Sequence, residues 1–204
     1  MELFLAFTLQ LFILVDPVAG VPVFLSITPH STPAERRVMA RRGSFVAFII
    51  VAFFLMFGSA VLGYLGITTA AIRICGGILL FVIALEMLYG RFTGTGTSRR
   101  EEQLAGEKAD ISITPLAVPL MAGPGAITTA LIFADRAANL GTHLALLGGC
   151  VLVFAVSYLF LRQADRLMRI LGDLGTAILT RIMGLILAFL AVQYTVDGVR
   201  SAFA

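Results

Sequence analysis

LFILVDPVAGVPVF, residues 11–24, places an aspartate, two prolines and a glycine inside an otherwise apolar run near the N-terminus. An unbroken membrane helix satisfies its own backbone groups, and Asp16, Pro17, Gly20 and Pro22 argue against one here. Pro17 has no N–H to lose and suits the first position of a helix, with Asp16 before it as the N-cap. The stretch therefore predicts one helix ending near Val15, a break, and a second helix starting at Pro17. Gly20 and Pro22 are expected to loosen the turn that follows.

The rest of the chain says what surrounds this break. Of 204 residues, 59% are hydrophobic and only 13% are charged, and the mean hydropathy is +0.98. Soluble domains run at about 45–50% apolar and about 25% charged, so this chain belongs in a lipid bilayer. A net charge of +3 does not suggest a nucleic-acid partner. Cys75 and Cys150 stand alone in apolar segments and fit neither a disulfide framework nor a metal site. The first residues lack the basic segment of a signal peptide, so the first apolar run is expected to be kept as a membrane segment.

A spanning helix needs about 20 mostly apolar residues. Six stretches qualify: 3–27, 44–63, 69–89, 113–134, 142–161 and 176–196. The first is interrupted at Asp16 and the fourth by Ala-Gly-Pro-Gly, residues 122–125. Tyr64, Tyr89, Tyr158 and Tyr194 fall near trailing ends of spans, where tyrosine favours the headgroup level. Eleven of the fifteen Lys and Arg fall in the loops after spans one, three and five; Arg136 and Arg200 fall on the other side, and Arg73 and Arg181 inside spans. That bias predicts cytoplasmic basic loops, with both termini on the periplasmic or extracellular face. Within the first basic loop, Thr32-Pro33-Ala34-Glu35 forms a capping box that starts the second helix before it enters lipid. Residues 91–112, RFTGTGTSRREEQLAGEKADIS, read as a polar linker. Its Gly-Thr repeats lack the context of a phosphate loop.

The two halves echo each other. RICGGILLF, residues 73–81, and RIMGLILAF, residues 181–189, match at six of nine positions at an offset of 108. Asp16-Pro17-Val18-Ala19 aligns with Gly123-Pro124-Gly125-Ala126 at an offset of 107. The expected fold is all-α and polytopic: residues 1–90 form a first three-helix repeat, 91–112 a cytoplasmic linker, and 113–204 a second repeat. Three spans per repeat is an odd number, so the second copy is inverted, a 3+3 plan in which broken helices mark the binding site. The half-helices after the two breaks then aim their N-termini at mid-membrane from opposite sides. A helix N-terminus offers free N–H groups and about half a positive charge, which suits a carboxylate.

VDPVAGVPVFLSIT, residues 15–28, and PLMAGPGAITTALI, residues 119–132, resemble the paired signatures of the MarC family, also called the small neutral amino acid transporter family. The resemblance covers essentially the whole chain, and the motif positions are Asp16, Pro17, Gly20, Pro22, Pro119, Gly123, Pro124 and Gly125. It implies a multi-pass protein of the prokaryotic inner membrane, some of whose relatives carry glycine or alanine.

Together these readings set expectations for function. The first is a secondary transporter, for uptake or export, of small neutral amino acids. Its binding positions are Asp16, Pro17, Gly20, Pro22, Gly123, Pro124, Gly125 and Thr128, and H+ or Na+ is the coupling ion. The alternative is a passive small-solute channel. No cofactor is expected, and no HExxH or Ser/His pair within a span suggests an enzyme. Asp16 reads either as a simple cap or as a group binding the solute ammonium or a coupling ion. An ionisable residue at that depth costs about 2.5–3.5 kcal/mol on insertion scales, which favours function. Arg73 and Arg181 read either as snorkelling side chains or as gates and carboxylate partners. Glu86 is expected at a solvated helix end. The pairs Gly76-Gly77 and Gly148-Gly149, with Gly184, are expected at close helix contacts.

Overall fold

The computed structural model describes residues 1–29, 31–90, 121–137 and 139–203. The expected linker, the first part of the fourth span, Pro119 and His30 lie outside the described residues. Among those described, the chain forms seven helices and no strand: α1 Glu2–Val15, α2 Pro17–Ile27, α3 Pro33–Tyr64, α4 Thr69–Tyr89, α5 Pro124–Arg136, α6 Leu140–Arg162 and α7 Ala164–Phe203. Among the described residues, five segments are long and apolar enough to cross a membrane, with α1 and α2 together counting as one. α5 has 13 residues, too few to span on its own. Large apolar side chains such as Phe53, Ile78, Val151 and Phe189 cover the outer faces, as lipid contact allows and water does not.

The break falls where the residues place it. Asp16 has φ 37° and ψ 68°, the one left-handed non-glycine among the described residues. It closes α1 and opens α2 at once. Its N–H donates to the Phe12 carbonyl at 3.0 Å, its carboxyl accepts from the Ala19 N–H at 3.2 Å, and its carbonyl accepts from the Gly20 N–H at 3.0 Å. Aspartate tolerates this region better than most side chains. Gly20 and Pro22, expected to loosen the next turn, instead sit within a continuous α2. Pro22 forgoes only the bond its N–H would have made to the Val18 carbonyl. The capping box is formed as expected: Glu35 accepts from the Thr32 N–H at 2.7 Å and its own N–H reaches Thr32 Oγ1 at 3.3 Å. α7 carries a second kind of break at Gly172, with φ 63° and ψ 177°.

Glycines set how closely the long helices pack. A Cβ on Gly77 would stand 2.7 Å from the Ala191 carbonyl oxygen and 2.8 Å from the Thr195 nitrogen. One on Gly184 would stand 3.2 Å from the Ala84 carbonyl oxygen and 3.3 Å from the Leu88 nitrogen. Each contact is the counterpart of the other at a spacing of 107 residues: 77 to 184, 84 to 191, 88 to 195. α4 and α7 therefore run antiparallel with their backbones nearly touching, as small residues permit within a bilayer. Gly149 likewise faces Thr8 and Phe7 of α1. Gly148, expected at such a contact, faces open space: one residue along a helix turns the side chain by about 100°.

Gly77→Val is expected to wedge α4 from α7 and destabilise the protein by about 1–3 kcal/mol. Gly148→Val should leave stability unchanged. Thermal unfolding in detergent, read by circular dichroism, checks the pair.

Candidate functional site

α5 starts beside the first break and runs back along α1. A Cβ on Gly125 would stand 2.9 Å from Leu14 Cδ2; one turn on, Thr129 Oγ1 accepts from Gln10 Nε2 at 3.3 Å; another turn on, the Phe133 and Phe7 rings are 5.3 Å apart. α2 leaves the same region the other way. Asp16 lies beside Thr180 of α7, and beyond α2 the Thr28 carbonyl accepts from Arg36 at 2.8 Å. Arg36 also pairs with Asp165 at 2.9 Å, in the arginine-rich end of the bundle. α5 finishes at the opposite end, where Asp135 pairs with Arg73 at 3.2 Å. α5 thus begins against the last turn of α1, and α2 and α5 run to opposite ends.

The two N-termini differ in chemistry. Asp16 fills the first as a capping side chain. At the second, Gly123 is extended, with φ −66° and ψ 173°, and no side chain caps α5. The Gly125 and Ala126 N–H groups are therefore first-turn donors without a side-chain acceptor. Asp16 is 7% exposed, and its Oδ2 is buried with no hydrogen-bond partner.

On the arginine-rich side of the break lies a cleft of about 280 Å³, whose walls include Ala19 and Pro22 of α2, Glu86 of α4, and Thr176, Thr180 and Arg181 of α7. Asp16, Pro17 and Gly20 are buried behind it. Of the sequence-derived positions, Pro22 and Arg181 reach the cleft, and Gly123, Pro124 and Gly125 form the N-terminus of α5. Thr128 is turned away: its methyl packs against Gly76 of α4. Arg73 stands at the far end, paired with Asp135.

Other residues emerge only from the fold. Tyr194, expected at the headgroup level, is 4% exposed and donates to Gln10 Oε1 at 2.5 Å. Gln10 thereby bridges α5 and α7, and the Arg136 guanidinium lies 5.4 Å from the Tyr194 ring centre. This layer closes the side of the break away from the cleft. Glu86, expected at a solvated helix end, is half-buried and forms part of the cleft wall instead. Gln10 was the one signal available in the sequence, as the only amide side chain in α1. Tyr194 and Thr180 carried none, because a lone hydroxyl near a span end reads equally as a lipid-facing group.

Comparison with known proteins follows the same line. The family model for MarC family integral membrane proteins matches residues 1–203. A UPF0056 membrane protein of Methanocaldococcus jannaschii is 37% identical over 97% of this chain and 96% of its own. The Bacillus subtilis membrane protein YvbG is 35% identical, over 96% and 93%. The Escherichia coli inner membrane protein YhgN is 33% identical, over 93% and 92%. No solved structure matches the chain. With the family model covering residues 1–203 and relatives at 33–37% identity over nearly the full length, the chain belongs to the MarC family of multi-pass integral membrane proteins.

Proposed function

We propose that this protein is a secondary transporter of small neutral amino acids such as glycine or alanine, built as two inverted three-helix repeats. The observation that carries the reading is a buried aspartate at the break between α1 and α2, with the uncapped N-terminus of α5 packed on Leu14 just before it. In the proposal the solute carboxylate is held by the first-turn N–H groups of α5, at Gly125 and Ala126. The solute ammonium is held by Asp16 and the last carbonyls of α1. Broken helices in inverted repeats serve transported solutes in this manner. The reciprocal Gly77 and Gly184 contacts support the inverted plan, since an antiparallel pair of equivalent helices is what a two-fold axis in the membrane plane requires.

The arginine-rich end is assigned to the cytoplasm and both termini to the opposite face, from the distribution of basic residues. The cleft is then the cytoplasmic entrance, and Arg181 on its wall draws in the solute carboxylate. The Gln10 bridge to Thr129 and Tyr194 forms the closed outer side. With no nucleotide-binding motif in the chain, an ion gradient or downhill flow drives the cycle.

Purified protein in liposomes should carry alanine with saturable, competitively inhibited kinetics and should be stimulated by alanine on the far side. Flux that rises linearly with concentration would assign a channel instead. Arg181→Ala should raise the KM for alanine roughly tenfold or more with little change in maximal rate, the loss of one charge-assisted hydrogen bond. Alkaline phosphatase fused after the C-terminus should be active in cells of a Gram-negative host, as a periplasmic end requires.

A further inference from the structure

We propose that the arginine-rich end holds one anionic phospholipid, its phosphate in a cleft between α3, α6 and α7 and an acyl chain in the groove that continues from it. The site stands apart from the break at Asp16 and does not depend on the transport reading.

The first support is the charge of the cleft. A space of about 460 Å³ opens where α6 turns into α7, lined by Arg37 of α3, Arg162 of α6, and Arg166 and Arg169 of α7. Asp165 is the one acid on its wall, and Arg36 already pairs with that carboxylate at 2.9 Å. Arg169 Nε donates to the Asp165 carbonyl at 3.2 Å, which ties that side chain back to α7. Four guanidinium groups from three helices therefore share one space whose single acid is taken. Like charges gathered in this way repel, and the forked N–H groups of arginine fit a phosphate bidentately. The bias of basic residues toward one face sets the end they occupy, not their convergence on one cleft.

The second support is what continues from the cleft. A groove of about 310 Å³ runs between α3 and α6, with Phe45, Phe48, Val151, Phe154 and Ala155 on its walls. Arg41 and Tyr158 also line it. Arg41 is one turn on from Arg37, and Tyr158 one turn before Arg162, so cleft and groove follow one seam. The Phe48 and Phe154 rings meet edge-on across that seam, 6.4 Å apart, while Phe45 is 60% exposed and Val151 50%. Arg37 to Phe48 and Val151 to Arg162 are each 11 residues along their helices. That is about 16 Å of helix, against roughly 15 Å of hydrocarbon in one leaflet. Basic groups, a tyrosine at headgroup level and an apolar channel thus follow one another in the order of a phospholipid. Free phosphate accounts for the cleft and leaves the groove without an occupant. A lipid phosphate there joins α3, α6 and α7 where the Arg36–Asp165 pair already joins α3 to α7.

Native mass spectrometry of the full chain in detergent, titrated with phosphatidylglycerol, phosphatidylcholine or inorganic phosphate, tests the site. One phosphatidylglycerol per chain should bind roughly tenfold or more tightly than phosphatidylcholine. Arg37→Gln and Arg166→Gln should each weaken it about fivefold, while Arg200→Gln, remote in α7, leaves it unchanged. Ala155→Phe, on the open face of the groove, should weaken it by a similar factor with every arginine in place. Equal retention of the two lipids, or Arg200→Gln acting as strongly as Arg37→Gln, would overturn the proposal. Inorganic phosphate displacing the lipid while Ala155→Phe has no effect assigns the cleft to a free anion. Dimers that Ala155→Phe removes and phosphatidylglycerol does not dissociate assign the groove to a second copy of the chain. Either of these results overturns the lipid assignment.

Discussion

Within a bilayer every backbone N–H and C=O must find its partner inside the protein, and this molecule departs from that rule at one depth on purpose. Asp16 makes the departure tolerable. A single left-handed residue accepts the end of α1, caps the start of α2 and places a carboxyl at the junction. The penalty for open backbone groups in hydrocarbon is several kcal/mol each, so such a break persists only when packed among other helices. α5, α6 and α7 do that packing here, with Leu14, Gly20 and Thr180 as the contact points.

From that constraint the rest of the architecture follows. The α4–α7 pair gives the bundle a rigid spine because its glycines bring two backbones together without intervening side chains. α2 packs on α7 and α5 packs on α4, so each half-helix lies against the spine helix of the other half. In the proposed transport reading, the α4–α7 pair is the fixed part, against which α2 and α5 lie. The polar layer of Gln10, Thr129 and Tyr194 ties α1, α5 and α7 together on the side of the break away from the cleft.

Much of this was legible in the residues themselves. Asp16-Pro17 announces a cap and a helix start by chemistry alone, and Thr32 to Glu35 announces another. Both are local, so no tertiary information is needed. Gly77 was readable as a close contact because glycine in a membrane helix has few other uses, but its partner was not, since that depends on which helix lies opposite. Tyr194 misled for the same reason: its position near a span end suited the headgroups equally well, and only the approach of Gln10 from α1 makes it internal. Pro22 looked disruptive and proved compatible with helix, because one lost hydrogen bond is modest when neighbouring elements hold the segment. Thr128 and Thr129 could not be told apart by spacing from the break; their roles differ by the 100° that separates adjacent residues.

The packing of the α5 N-terminus beside the break at Asp16 is the feature on which the whole account turns, and solid-state NMR of the labelled protein in lipid bilayers reads it directly. The expected spectrum contains a short-range cross-peak between the Leu14 methyls and the Gly125 Cα, together with non-helical backbone shifts at Asp16. Helical shifts running without interruption through residues 10–22, or the absence of any Leu14 to Gly125 contact, would contradict it.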